Sequence, residues 1–576
     1  MKKFISVLLA CCLVMTSFSA CSKKEEETSA DTSKDVTKPA DSSSSNEATA
    51  TAAPTESTEN AEVVDGKFVN TRKITVEVYD RGNDGGSKPE DNVYTKYIKE
   101  GMLRDHNVEV EFIAVPRWTE VEQINNLLAA GDAPDICVTY DYATIQTYAG
   151  MGGVVNLSSY VEEYKDQLPN LWNWLGTRNI YWDKDPINGD LWAIEAKLAV
   201  MNRTSTFVRK DWLDKLNLQA PTTIDEFEAM LVAFRDNADL LLGADADKMV
   251  PFSISSDVGW RCDHLSGSFI DPDITDKDYY VNGFDDRRFT QPGTKEAIRV
   301  LNKWYNEGLI WKDFAMYDAA GDTTEDNMMK AGYVGSFIHN WDYPYRNGED
   351  SIQSNLQRLV GEDACYIAIE PFKDSKGTYT KYLAGPIDRK VFFPTTNDEP
   401  LASLMYLDWI SEPENIQYLQ IGEEGITHVT LDDGSIQTLA ATDDNIMNSP
   451  LNIDYTITCN GMNLVDPDIS LKSRALSYAG IDSALIEVAD KISTHDGHIG
   501  KNVQVGKIEA EEGLGTSLSD KRDVVLCTSV TASVEDFDKI FDAGMDDYLK
   551  SGGQAVMDER KVKWEATYGD ATQLPE

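Results

Sequence analysis

The 576-residue chain carries 98 Asp and Glu against 53 Lys and Arg, a formal net charge of −45 at pH 7. A field of that sign repels phosphate backbones and anionic lipid headgroups, which argues against nucleic acid or an anionic membrane surface as partner and leaves neutral ligands open. The first twenty-one residues set the compartment: Lys2 and Lys3, an apolar run from Phe4 to Phe18, then Ser19, Ala20 and Cys21. A basic start, a short apolar stretch and small residues before a cut site form a secretory signal, and a cysteine at the cut makes it a lipoprotein signal. Cys11 and Cys12 are rival positions, but choosing either leaves almost no apolar run. Residues 1–20 are therefore expected to be removed and Cys21 to be acylated, palmitate included. The protein would then sit on the extracytoplasmic face of the cell membrane, held to the bilayer through that lipid.

Residues 22–66 are dominated by Ser, Thr, Ala, Glu, Asp and Lys and contain no aromatic residue. They bury too little apolar surface to offset their ordering entropy, so 21–66 reads as a lipidated, disordered tether. Its r.m.s. reach would be about 35 to 40 Å. No later stretch is long and apolar enough to span a bilayer, so a transmembrane partner would be another chain. The roughly 500 residues that follow exceed what one core normally serves, and more than one domain is expected.

The folded part opens with a strand, Ile74 to Tyr79, and a Gly-rich turn from Asp80 to Gly86. Thr119 and Glu122 have capping-box spacing, Val121, Ile124 and Leu128 share a helical face, and Gly131 marks the stop. Asp135 to Tyr140 then reads as a buried strand, and the strand, helix, strand order predicts an α/β lobe with parallel pairing. Thr223 and Glu226 repeat the capping box ahead of Ile224, Phe227, Leu231 and Phe234; Thr294 to Gly308 is a further helix with Ile298, Leu301 and Trp304 inward. Cysteines 137, 262, 365, 459 and 527 lack C-x-x-C spacing and are odd in number once Cys21 is lipidated, which argues against a disulfide framework. His495 and His498 lack a third soft ligand, and no metal or cofactor is expected.

Leu127-Leu128-Ala129-Ala130-Gly131-Asp132-Ala133-Pro134-Asp135-Ile136, with Tyr148, Gly152-Gly153 and Val155-Asn156-Leu157, resembles the family 1 extracellular solute-binding lipoproteins of carbohydrate ABC importers, in their large branch. Later phrases agree in order: Leu191-Trp192-Ala193-Ile194, Phe207 to Leu216, Pro221 to Phe227, Met329 to Gly335 and Gly422 to Ile426. The resemblance covers most of residues 70 to 430. It implies two α/β lobes of the periplasmic-binding-protein type, each a mostly parallel sheet flanked by helices, with the ligand in the cleft between them. Lobe 1 would comprise 67–193 and a return segment 372–411; lobe 2 would comprise 194–371 and a C-terminal part 412–576. Some large members of the family carry a calcium loop after the helix that begins near Pro221. Here Leu240, Leu241 and Leu242 interrupt the acidic run from Asp236 to Asp247, so calcium is not expected.

A sugar cleft needs flat aromatic faces for pyranose C–H surfaces and planar polar groups that bridge neighbouring hydroxyls. They belong at the C-terminal ends of strands, where chain crossings leave a crevice. The segments that meet this description supply Asp80 and Arg81; Tyr140, Asp141 and Tyr142; Asp257, Trp260 and Arg261; and Asn340, Trp341 and Asp342, with Trp118 as a further stacking face. The resemblance makes Trp341 the recurrent cleft tryptophan. The implied function is a monomeric, non-enzymatic receptor that delivers a carbohydrate to ABC permease subunits. Two rival readings are a surface glycoside hydrolase, which needs paired carboxylates that sequence alone does not locate among so many acids, and the same fold with a peptide or other polar ligand.

Overall fold

The computed structural model describes residues 62–574 other than 82–87, 174–183, 185–188, 286, 318–321, 380, 384, 386, 440–451, 463–465, 479, 500–502, 504 and 512. The expected signal, Cys21, most of the tether and the tip of the Gly-rich turn lie outside the described residues. Order reaches back into the expected tether, because Val63–Val64 pairs with Lys67–Phe68 across a turn at Asp65 and Gly66.

Alternation of apolar and acidic residues makes Val108–Pro116 a strand buried on one face. Arg72–Asp80 is buried on both faces over residues 76–79, Glu77 included. These two strands pair in parallel, and Val76 bridges Ile136 to bring in Cys137–Thr139. Ile387–Phe392, Ile194–Leu198 and Cys459–Asn460 complete this sheet in that order. Tyr94, Ile98 and Met102 of the Val93–His106 helix and the almost wholly apolar Pro400–Ile410 helix close its core.

The second lobe has a four-stranded sheet in the order Tyr366–Ile369, Thr204–Arg209, Val334–Asn340, Val250–Ser253. Ile224–Asp236 covers it with Phe227, Met230, Leu231 and Phe234, and Thr294–Asn306 with Ile298, Leu301 and Trp304, the faces expected from their periodicity. Leu526, Phe537 and Phe541 of the C-terminal helices join the same core. Thr223 caps its helix by accepting the Glu226 N–H, whereas Glu226 turns back to Thr222. The expected Thr119 cap does not form; the residue after it, Glu120, is buried and serves the site described below. The segment 236–247 is taken up by the Ala238–Leu242 helix and a 3-10 turn.

Strand directions define the cleft. Ile194–Leu198 is antiparallel to Ile387–Phe392, which is antiparallel to Cys137–Thr139. Leu198 therefore ends on the same edge of lobe 1 as Asp80, Pro116 and Thr139, and the chain crosses from that edge at 199–203. In lobe 2 Thr204 lies opposite Asn340, and Val250–Ser253 runs parallel to Val334–Asn340, so their C-terminal ends face the crossing. The strands of each lobe share one direction apart from Thr204–Arg209 and Ile387–Phe392, the strands by which the chain enters each lobe, which run away from the cleft.

The lobe boundaries accordingly shift from those expected. Residues 194–198 stay in lobe 1, and its return segment runs from Ile387 through Asn460, since Tyr455 and Ile457 are in its core and Cys459–Asn460 pairs with Ile194–Leu198. The chain rejoins lobe 2 only beyond Asn460, where Ile486 and Ala489 pack with Phe207 and Tyr366.

Candidate functional site

The lobe 1 edge is organised from below by Glu120. Its carboxylate accepts the Tyr79 hydroxyl, the Tyr140 N–H at 3.1 Å and the Thr139 hydroxyl at 3.3 Å, which fixes the end of the Cys137–Thr139 strand. Tyr79 and Tyr140 stack with centroids 6.3 Å apart. The Arg117 guanidinium lies 4.2 Å from the Tyr140 centroid and 5.4 Å from that of Trp118, a residue 75% exposed. Below this edge the buried Glu77 accepts the Val138 N–H, and burial pushes its carboxyl well above the usual carboxylate range.

The other lobe 1 candidates are tied more firmly. Arg81 makes a bidentate pair with Asp454, at 2.7 and 2.9 Å, and Asp454 lies 3.7 Å from the buried Arg389. Asp141 accepts the Thr144 hydroxyl at 2.8 Å and holds the start of the Tyr142–Gly150 helix, on which Tyr142 is the first residue. Asp80 ends its strand opposite Pro116. Asp80, Arg81, Trp118, Tyr140, Asp141 and Tyr142 are thus brought to one edge.

Across the crossing, Asp257 caps the short Val258–Arg261 helix by accepting the Trp260 N–H at 3.1 Å and pairs with Arg287 at 2.6 and 3.0 Å. The guanidiniums of Arg203 and Arg287 lie 5.0 and 5.2 Å from the Trp260 centroid. This half-buried tryptophan is flanked by cations and held by the carboxylate that also binds one of them. Asn340 stands at the edge opposite Thr204.

Three expected ligand contacts belong instead to the interior of lobe 2. Arg261 is 2% exposed, and its guanidinium is taken up by Glu325 at 2.6 and 2.7 Å and by the Ile338 carbonyl at 2.6 Å. Trp341 is 6% exposed and packs in a core cluster with Phe337 and Tyr345, so no ring face is left for a sugar. Asp342 is buried against Arg346 and the Tyr478 hydroxyl. In each case a side chain at a strand end turned under the sheet and was covered by a distant segment. Sequence reasoning passed over Arg117, Arg203 and Arg287. Arg117 follows a strand's C-terminal end and was open to the same argument that singled out Arg81, whereas Arg203 precedes the Thr204–Arg209 strand and Arg287 lies in a loop, neither with that local signal.

A cavity of about 310 Å³ spans the lobes at this level. Asn125, Asp141, Thr144 and Thr147 line it from lobe 1, and Lys507, Ile508 and Glu511 from the C-terminal part. A larger cavity of about 770 Å³ is lined by Val250, Tyr305, Trp311 and Tyr333. It opens at the N-terminal ends of the lobe 2 strands, opposite the crossings, so strand direction favours the smaller, interlobe cavity as the ligand site. Among the described residues no cluster of three or more His, Cys, Asp or Glu side chains is arranged to hold a metal ion.

The chain is similar to the polygalacturonan/rhamnogalacturonan-binding protein YtcQ of Bacillus subtilis, with 24% identity over 340 residues, 56% of this chain and 61% of that protein. It is also similar to lipoprotein LipO of the same organism, with 28% identity over 216 residues, 37% of this chain and 41% of LipO. The chain thus spans about three fifths and two fifths of the lengths of these relatives. An HMO-binding, ABC-transporter-associated solute-binding protein of Bifidobacterium longum infantis superposes with a TM-score of 0.62 at 17% identity, over 88% of this chain and all of that one. That likeness shows the two-lobed fold. The sequence pattern described as bacterial extracellular solute-binding protein matches residues 96–423, more than half of the chain, and the protein belongs to that family.

Proposed function

We propose that the protein captures an oligosaccharide between its lobes and presents it to the permease subunits of an ABC importer. It does so as a monomer tethered to the extracytoplasmic face of the cell membrane by the Cys21 lipid. The observation that carries this reading is the convergence of strand ends from both lobes on one crevice. Stacked tyrosines, Trp118 and Asp141 stand on one side, and Trp260, Asp257 and Asn340 on the other. Aromatic faces supply desolvated area for pyranose rings, and the planar charged groups beside them orient hydroxyls. Ligand favours the closed arrangement because only there do both lobes touch it, so closure is a population shift about the crossing segments. The name of YtcQ supports a polysaccharide fragment as ligand, and that of LipO supports the lipid anchor.

The test is a thermal-shift screen of the full chain across mono- and oligosaccharides, followed by small-angle scattering with and without the best ligand. Binding to the native state raises the unfolding midpoint by mass action. A sugar that raises the midpoint and contracts the particle without being cleaved is the expected result. Cleavage dependent on particular Asp or Glu residues would move the assignment to a hydrolase, and peptides stabilising the chain where no sugar does would move the cargo.

A further inference from the structure

Arg117 bears on which oligosaccharides the cleft accepts. The residue follows the Val108–Pro116 strand at the cleft edge, with its guanidinium over Tyr140 at 4.2 Å, Tyr79 at 5.2 Å and Trp118 at 5.4 Å. Three other arginines of this crevice are matched to carboxylates: Arg81 to Asp454, Arg287 to Asp257, and Arg203, at 3.9 Å, to Asp263. Arg117 makes neither a hydrogen bond nor an ion pair among the described residues, and its Nε is buried without a partner. The aromatic faces hold the cation in place but satisfy none of its five N–H donors.

A guanidinium immobilised by rings, with its donor fork vacant beside an exposed tryptophan, is complementary to a planar or trigonal oxyanion. We propose that Arg117 reads a negatively charged group on the bound sugar, so that the cleft selects acidic over neutral oligosaccharides. The inference rests on the oligosaccharide reading above. The chemistry recognised is an oxyanion carried on a pyranose, either a uronate carboxylate or a sulfate ester, with Trp118 as the adjoining stacking face. The net charge of −45 does not oppose this. Exposed charges farther away than the Debye length of about 8 Å are largely screened at physiological ionic strength, so the local guanidinium governs affinity.

The experiment is calorimetric titration of the full chain in mild detergent. The probes are oligogalacturonides, their methyl esters, sulfated oligosaccharides of matched length and a broad panel of neutral oligosaccharides. The expected result is an acidic form bound on the order of tenfold more tightly than its uncharged counterpart. Arg117→Gln erases that ratio, Arg117→Lys restores part of it, and raising salt reduces it. Whether uronate or sulfate shows the larger ratio identifies the source of the oxyanion. A ratio near one in the unaltered protein overturns the proposal even if Arg117→Gln does not fold, and a ratio that survives Arg117→Gln in a folded variant overturns the role of Arg117. If no sugar of either kind binds, the oligosaccharide reading itself falls.

Discussion

Replacing Glu325 tests whether Arg261 is a structural or a ligand-binding cation. Both side chains are 2% exposed, and the Glu325 carboxylate accepts from Arg261 Nη1 and Nη2 at 2.6 and 2.7 Å and from the Ser253 hydroxyl at 2.5 Å. Glu325→Gln keeps the shape and removes the charge, leaving a buried guanidinium without a counter-charge, whose acceptors are one amide oxygen, the Ile338 carbonyl at 2.6 Å and the Ser253 carbonyl at 3.5 Å. Breaking a buried pair from one side costs about 3 to 5 kcal/mol. At roughly 2 °C per kcal/mol for a lobe of this size, the lobe 2 transition falls by about 6 to 10 °C. Differential scanning calorimetry reads that shift, and titration of the folded variant reads ligand affinity, which is expected to be retained. A double replacement, Arg261→Met with Glu325→Leu, recovers much of the loss, because an apolar pair needs no mutual neutralisation. An unshifted transition with affinity lost would refute the reasoning and return Arg261 to the ligand.

Trp341→Ala and Trp118→Ala are expected to behave oppositely. The buried Trp341 loses about 3 to 5 kcal/mol of stability with affinity retained once folded. The exposed Trp118 leaves the unfolding midpoint unchanged and weakens binding, and an exchange of these outcomes in paired calorimetry and titration would invert the assignment. Burial lowers the imidazole of His264 from 6.5 to about 4, so the stability tied to its neutral form is complete above 6.5 and lost as pH falls through about 4. His264→Gln should therefore flatten the dependence of the unfolding midpoint on pH in that window, and an unaltered acid limb counts against it. Cys21→Ala is expected to release a folded, ligand-binding chain into the soluble fraction. A variant that still sediments with membranes would show another anchor.

What the chain states locally survived into the structure. The helices Ile224–Asp236 and Thr294–Asn306 present the faces that their periodicity predicts, and Gly131 takes up the left-handed conformation that ends its helix, at φ 75°. These features depend on residues three or four positions apart, so a linear reading reaches them. The strand ends were legible for the same reason, which is why Asp80, Tyr140, Asp141 and Trp260 were found at the crevice.

Whether a strand-end residue faces the crevice or turns beneath the sheet is decided by partners far along the chain. Arg81 meets Asp454 across 373 positions, and Arg261 meets Glu325 across 64. The lobe boundary at 199–203 exists because Ile194–Leu198 pairs with Ile387–Phe392, which no local pattern announces. Sequence by itself determined the extracytoplasmic expectation, the α/β class and the strand ends that carry the candidate residues. Tertiary structure decided which arginines are neutralised, because only folding brings a distant carboxylate to a guanidinium, as it brings Asp454 to Arg81.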